Sequence, residues 1–158
     1  MTALLVLALS LAQPAAASPP PERSADYHNR QQLYLHSLSP AEGWRQTASG
    51  LRYRRIAGTG TGPRPSATDS VTIHYAGRFI DGTEFDSSIG RGEPATFPLP
   101  RLIRGWQEGV PLMSVGDRYE FAIPWNLAYG PAGRGPIPGG ATLVFTIELF
   151  GIGAPAAR

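Results

Sequence analysis

A chain of 158 residues with 42% hydrophobic side chains is long enough for one folded unit with a real core and a modest appendage. It has no cysteine, which excludes disulfides, thiolate metal sites and a cysteine nucleophile, and its three histidines, His28, His36 and His74, stand too far apart for a ligand motif, so no metal or other cofactor is expected. The net charge of +2 comes from scattered arginines without a run of like charge, which argues against nucleic acid as a partner.

Ala3 to Ala12 is mostly apolar and is followed by Gln13-Pro14 and the small residues Ala15-Ala16-Ala17-Ser18. That is the shape of a secretory signal peptide over residues 1–17, cut after Ala17, although no Lys or Arg precedes the apolar run. The run is shorter than the roughly 20 residues that cross a bilayer. An exported protein, periplasmic or secreted, with no membrane attachment after signal removal is therefore expected. Residues 18–48 read as a linker with one short helix. Pro19 to Pro21 favour an extended chain. Leu35 and Leu38 then share a side with Tyr34 behind an Asn29 cap, and Ser39-Pro40 and Gly43 end the helix. Trp44 is placed to pin this segment to the main domain.

From Leu51 the hydrophobic period changes to two. Leu51 to Ile56 reads as an edge strand guarded by arginines. In Val71-Thr72-Ile73-His74-Tyr75 the odd-numbered residues face inward. Asp81-Gly82 signals a two-residue hairpin with Thr83-Glu84-Phe85 as its return arm. Thr96 to Leu99 is short and extended, with Pro98 confining it to an edge or bulge. Leu102, Ile103, Trp106 and Val110 share one face of a short helix, which Gly105 and Gly109 weaken by roughly 1 kcal/mol each. Such a helix needs a wrapper. Arg118 to Ile123 alternates again, Trp125 to Gly140 is a long Gly/Pro-rich loop, and Ala141 to Phe150 closes the chain as a strand. The sum is an α+β fold, a five- to six-stranded antiparallel sheet wrapped around one short central helix.

The glycine-rich stretch Gly58 to Gly62 lacks the Lys and Ser/Thr of a phosphate loop, and no Gly-x-Ser-x-Gly elbow occurs. What remains is a set of aromatic and aliphatic residues, Tyr75, Phe85, Trp106, Tyr129, Ile137 and Phe145, with the acid Asp86 just past the hairpin. By pattern alone such residues are ordinary core or the wall of a pocket.

Five stretches carry a resemblance: Val71 to Tyr75, Gly82 to Ser88, Ile103 to Gly109, Ala128-Tyr129-Gly130, and Ile137-Pro138 through Phe145. In order and spacing they resemble the FKBP-type peptidyl-prolyl cis-trans isomerases, and Thr47 to Tyr53 resembles the lead-in of exported bacterial members. The resemblance implies an FKBP-like domain over residues 49–153, with 154–158 as a tail. It implies an isomerase that accelerates X-Pro rotation in folding polypeptides. A peptide-binding chaperone or interaction module, little dependent on turnover, is the alternative. Carried over by position, the catalytic residues are Phe85, Asp86, Trp106 and Tyr129, and Tyr75, Leu102, Ile103, Ile137 and Phe145 bind substrate. Trp106 would be the floor under the proline ring, with an open indole face. The Ile103 N–H and the Tyr129 hydroxyl would donate to substrate carbonyls. Partners implied are proline-containing unfolded or partly folded polypeptides, and macrolides of the tacrolimus/rapamycin type. Ala95 stands where the small cytosolic members have an aromatic residue, and the loop from Phe97 to Leu102 is about two residues shorter, which widens the rim.

Overall fold

The structure, a computed structural model, describes residues 25–155. The expected signal peptide, Pro19 to Pro21 and the last three residues of the expected tail lie outside the described residues.

Helix α1 (Ala25–Ser37) contains no Gly, Pro or β-branched residue. Asp26 in its first turn and His36 in its last complement the helix dipole. It begins ahead of Asn29, so Asn29 lies inside the helix and does not cap it, because nothing in the preceding turn breaks the helical backbone. Gln31 and Leu35, one turn apart, are its buried residues. After Ser37 a single 3-10 turn, Pro40–Glu42, is capped by the Ser39 hydroxyl, which accepts from the Ala41 N–H at 3.1 Å, and it ends at Gly43 with φ 87°.

The main sheet is built from β1 (Arg45–Gln46), β2 (Arg52–Ala57), β3 (Asp69–Arg78), β4 (Glu84–Ser87), β5 (Ala95–Pro98), β6 (Arg118–Ile123) and β9 (Leu143–Pro155). Its order is β1-β2-β6-β9-β3-β4, and β5 also pairs with β3. Every pairing is antiparallel. Six of these strands have four or more residues, and the two-residue β1 is added at one edge. β9 runs to Pro155, so the tail expected from residue 154 starts inside the sheet.

The hairpin between β3 and β4 is not the two-residue form. The Gly82 N–H donates to Phe79 O at 3.0 Å and the Phe79 N–H to Thr83 O at 2.9 Å. Ile80 and Asp81 are therefore the centre of the turn, and Gly82, at φ 89°, follows it in the left-handed region. The Trp125–Gly140 stretch also carries more order than a loop: a 3-10 turn at Trp125–Leu127 and a small antiparallel pair, β7 (Gly133–Arg134) with β8 (Ile137–Pro138). Two-residue strands are too short for a sequence period to betray them.

Helix α2 (Arg104–Gly109) is six residues long, flanked by 3-10 turns at Leu99–Arg101 and Val110–Leu112. Leu102 and Ile103 lie ahead of it in extended conformation, with Ile103 as N-cap. The helix survives because the sheet encloses it. Trp106 and Val110 join Ile73, Tyr75, Phe121, Phe145 and Ile147 in one buried cluster. A Cβ on Gly105 would stand 2.5 Å from Ile123 Cγ2, and one on Gly109 would stand 2.7 Å from Phe121 Cε1. Glycine is what lets α2 sit this close to β6.

Alternation along β6 turns Ala122 to the opposite face from Phe121 and Ile123. There it is buried with Leu35 and Trp44, and half-buried Tyr34 and Leu38 close the patch. α1 thus covers the outer face of the sheet while α2 fills the inner one, and Trp44 is buried with Leu35 and Ala122 between α1 and the sheet.

Candidate active site

Trp106 is ringed by aromatic edges. Tyr75 meets the indole at 5.5 Å between centroids, Phe145 at 5.2 Å and Phe97 at 6.3 Å, with planes 79–88° apart. Edge-to-face contacts set positive ring edges against the negative indole face. Phe85 meets Phe145 edge-on at 5.6 Å, and Phe79 stacks obliquely on Phe85 at 4.9 Å. These rings come from β3, β4, β5, α2 and β9, and the sheet register brings them together: Gly77 pairs with Phe145 on one side and with Asp86 on the other.

The open indole face is not found. Trp106 is only 1% exposed, with the rings of Tyr75, Phe97 and Phe145 packed against it. Phe85, Asp86 and Tyr129 are the half-buried members of the constellation. Leu102, Ile103 and Ile137 belong to the same buried cluster. Of the nine residues singled out in the sequence, ring contacts join Tyr75, Phe85, Trp106 and Phe145, a hydrogen bond ties Asp86 to Tyr75, and Leu102, Ile103, Tyr129 and Ile137 pack in the same core cluster.

Around Asp86 the charges and hydrogen bonds are closely arranged. The Tyr75 hydroxyl donates to Asp86 Oδ2 at 2.6 Å, and Arg91 Nη1 donates to Oδ1 at 2.9 Å. Arg91 Nη2 also donates to the Tyr75 hydroxyl oxygen at 3.0 Å. Both carboxylate oxygens are thus engaged. Burial, followed by the hydrogen bond to Asp86, raises the Tyr75 phenol above its ordinary pKa. Burial likewise raises Tyr129, only partly opposed by the Arg134 charge, and the Asp86 charge reaches it as well.

Two donors in the ring cluster have no partner among the described residues: the Tyr129 hydroxyl and Trp106 Nε1 are both buried and unbonded. A buried donor without an acceptor costs about 1–3 kcal/mol, so nature seldom leaves one without a use. At the N-cap of α2, Ile103 O accepts from the N–H groups of Trp106 and Gln107. Gln107 Nε2 donates to Leu102 O at 2.6 Å and fixes the turn ahead of the helix.

Three contributors went unassigned in the sequence. Arg91 lies five residues beyond Asp86 across the Gly90 turn, and a cation that close to a singled-out acid was the available signal. Phe97, within a short extended stretch next to Pro98, carries no local sign that it meets Trp106. Gln107 gave no signal, because its role depends on a backbone carbonyl placed by tertiary structure.

A family model described as FKBP-type peptidyl-prolyl cis-trans isomerase matches residues 62–150, more than half of the chain. The chain belongs to this family. The FKBP-type isomerase FkpA of Aeromonas hydrophila is 53% identical over 124 residues, which cover 78% of this chain and 46% of the relative. The FKBP-type 22 kDa peptidyl-prolyl cis-trans isomerase of Escherichia coli K12 is 49% identical over 120 residues, 75% of this chain and 58% of the relative. The chain thus spans about half the length of these curated relatives. The crystal structure of FkpA from Escherichia coli superposes with a TM-score of 0.78 at 38% identity, covering 84% of this chain and 62% of that one. An FKBP fold is therefore the frame in which the ring cluster, Asp86 and Tyr129 are to be understood.

Proposed function

We propose that this chain catalyses cis/trans rotation of X-Pro bonds in polypeptides by non-covalent binding of the twisted amide. The observation that carries the reading is the Tyr129 hydroxyl, a buried donor without a partner among the described residues, on a side chain packed against the aromatic cluster and within the field of Asp86. Such a donor suits a substrate carbonyl. The names of the relatives, peptidyl-prolyl cis-trans isomerases, support the same activity.

The chemistry needs no nucleophile. Rotation about the amide meets a barrier of about 18–20 kcal/mol because it destroys resonance, and unaided exchange takes tens to hundreds of seconds. The twisted amide has lost part of its charge separation, so it is less polar than either planar isomer. A dry aromatic cavity penalises the planar forms more, which is differential binding of the transition state. In this reading Trp106, Phe85 and Phe145 supply the dry wall, with Tyr75, Leu102 and Ile137 closing the cavity around the prolyl ring. The Tyr129 hydroxyl and the Ile103 N–H hold flanking carbonyls while the bond turns. Both Asp86 oxygens are already bonded, one to Tyr75 and one to Arg91, so its part is to fix Tyr75 and the pocket wall. Ring adjustment at half-buried Phe85 and Tyr129 admits the proline, because Trp106 itself is covered.

Export to the periplasm or medium is part of the proposal and rests on the signal-like residues 1–17. N-terminal sequencing of the mature protein should begin at Ser18; a product retaining residues 1–17 would count against export. Macrolides of the tacrolimus/rapamycin type are proposed ligands whose affinity depends on a rim made less aromatic by Ala95, which pairs with Ile73.

The deciding experiment is a protease-free assay on a proline peptide. Acceleration of the cis-to-trans phase supports the reading. Peptide binding without acceleration would favour the chaperone or interaction module.

A further inference from the structure

A second concavity adjoins the ring cluster. Between α1, the turn joining β3 to β4, and the loop leading into β9 lies a groove of about 540 Å3, lined by Tyr27, Phe79, Ile80, Pro136, Pro138 and Ala141. It continues the site described above in two places. Phe79, in the groove wall, stacks on Phe85 of the ring cluster at 4.9 Å. On the other side Ile137, in the same buried core cluster as the rings, is flanked by Pro136 and Pro138, both in the groove wall.

The wall supplied by α1 is firmly attached. The buried Gln31 side chain accepts from the Thr142 N–H through Oε1 at 2.8 Å, a bond that joins α1 to the start of β9 across 111 residues of sequence. Losing it would leave a buried N–H unsatisfied, at a cost large enough to keep the helix docked. His28 is seated close against Gly140, and Leu35 is buried beside Trp44 and Ala122. At the groove floor the Thr142 hydroxyl, 1% exposed, has no partner among the described residues. The charged groups lining the groove are Arg30 and Asp81, of opposite sign.

We infer that this groove is a second subsite, which takes apolar residues of the same polypeptide whose prolyl bond is held in the ring cluster. The inference rests on the isomerase reading above. Its chemistry favours an unfolded chain over a small ligand: the lining is mainly aromatic, aliphatic and proline, with a spare hydroxyl at the floor and one charge of each sign. Occupying both sites at once raises the effective concentration of the prolyl bond at the cavity. α1, which lies outside the family match, thereby becomes a determinant of substrate length.

The test compares a proline tetrapeptide with an unfolded protein whose refolding is limited by prolyl isomerisation, using the full chain and its Ile80→Asp and Arg30→Glu variants. Ile80 is half-buried in a turn and Arg30 is exposed, so one variant or the other will fold. The expected result is tetrapeptide kcat/KM unchanged within about twofold, and polypeptide kcat/KM lowered about fivefold or more through KM, as loss of one apolar contact implies. A fluorescent proline-free peptide rich in Leu and Phe should bind the unaltered chain and Trp106→Phe, and bind Ile80→Asp at least about fivefold more weakly. Equal loss on both substrates, or loss on neither, overturns the subsite. So does a dimer in sedimentation that Ile80→Asp dissolves, which gives the groove to a second copy. A rise in polypeptide kcat/KM on removal of residues 18–23 would give it to the chain's own prolines. If the unaltered chain binds the proline-free peptide in the groove but accelerates neither substrate, the isomerase reading fails and the groove stands.

Discussion

The Tyr75 hydroxyl donates to Asp86 Oδ2 at 2.6 Å, and Arg91 binds both partners of that bond. The geometry follows from the register. Gly77 pairs with Asp86, so Tyr75, two residues earlier on β3, shares a face with Asp86 on β4. Arg91 then folds back from the turn after β4 with its guanidinium centre 5.8 Å from the Tyr75 ring centroid.

Asp86→Leu is expected to lower kcat/KM about tenfold, and to cost about 1–3 kcal/mol of stability because it strands the buried Tyr75 hydroxyl. The double variant Asp86→Leu, Tyr75→Phe should recover most of the stability. Recovery of activity as well would mean that Asp86 acts only by holding Tyr75; continued loss would mean that the bond itself orders the cavity. A proline-peptide assay and a urea titration on the unaltered chain, Asp86→Leu, Tyr75→Phe and the double variant decide this.

Tyr129→Phe separates function from stability more cleanly. Its hydroxyl has no partner among the described residues, so removal should leave the urea midpoint unchanged or slightly raised. A substrate carbonyl that loses a hydrogen bond of about 1 kcal/mol should reduce kcat/KM about fivefold. Unchanged kcat/KM would remove Tyr129 from the binding machinery.

Trp106→Ala is a poor first test of the pocket. The side chain is buried beneath three rings, and emptying its volume should cost about 3–5 kcal/mol, enough to unfold a marginal domain. Trp106→Phe keeps an aromatic wall and should fold, with a lower kcat/KM and a loss of tryptophan fluorescence. A folded Trp106→Phe protein with full activity would show that the indole is core and not floor.

Gly105→Ala should destabilise by about 1–3 kcal/mol, because the added methyl meets Ile123 at 2.5 Å. Removing the obstruction with Ile123→Ala should make the Gly105 substitution nearly neutral in that background. Thermal melts of the four-member cycle report the coupling.

Burial raises the phenols of both Tyr75 and Tyr129 above the ordinary value, so both stay protonated in the folded state well past pH 10. The stability this implies is fully present below the unfolded phenol pKa, near 10, and is lost as pH rises from there toward the folded values. The urea midpoint should therefore show no tyrosine contribution from pH 7 to 9 and should fall above about pH 10. Tyr129→Phe should flatten that alkaline fall. Between pH 7 and 9 kcat/KM should show no limb from either phenol.

The sequence by itself determined the six longer strands and four members of the ring cluster, Tyr75, Phe85, Trp106 and Phe145. Alternation of period two is a local property of the chain, and five motifs in register are specific in a way that no single one is. It also announced α2 through Leu102, Trp106 and Val110, although the helix proper begins only at Arg104. Tertiary structure decided what depends on distance across the sheet. Trp106 lies covered because Tyr75, Phe97 and Phe145 arrive from three different strands, and no local pattern records how closely they close. Arg91 became part of the site because a turn folded it back onto Asp86. α1 became a wall because Gln31 reached a backbone N–H 111 residues away. A hydrophobic period states which side of a strand is dry, since side-chain direction follows from the backbone. Which donor is left without an acceptor is settled only when every other group has found its own.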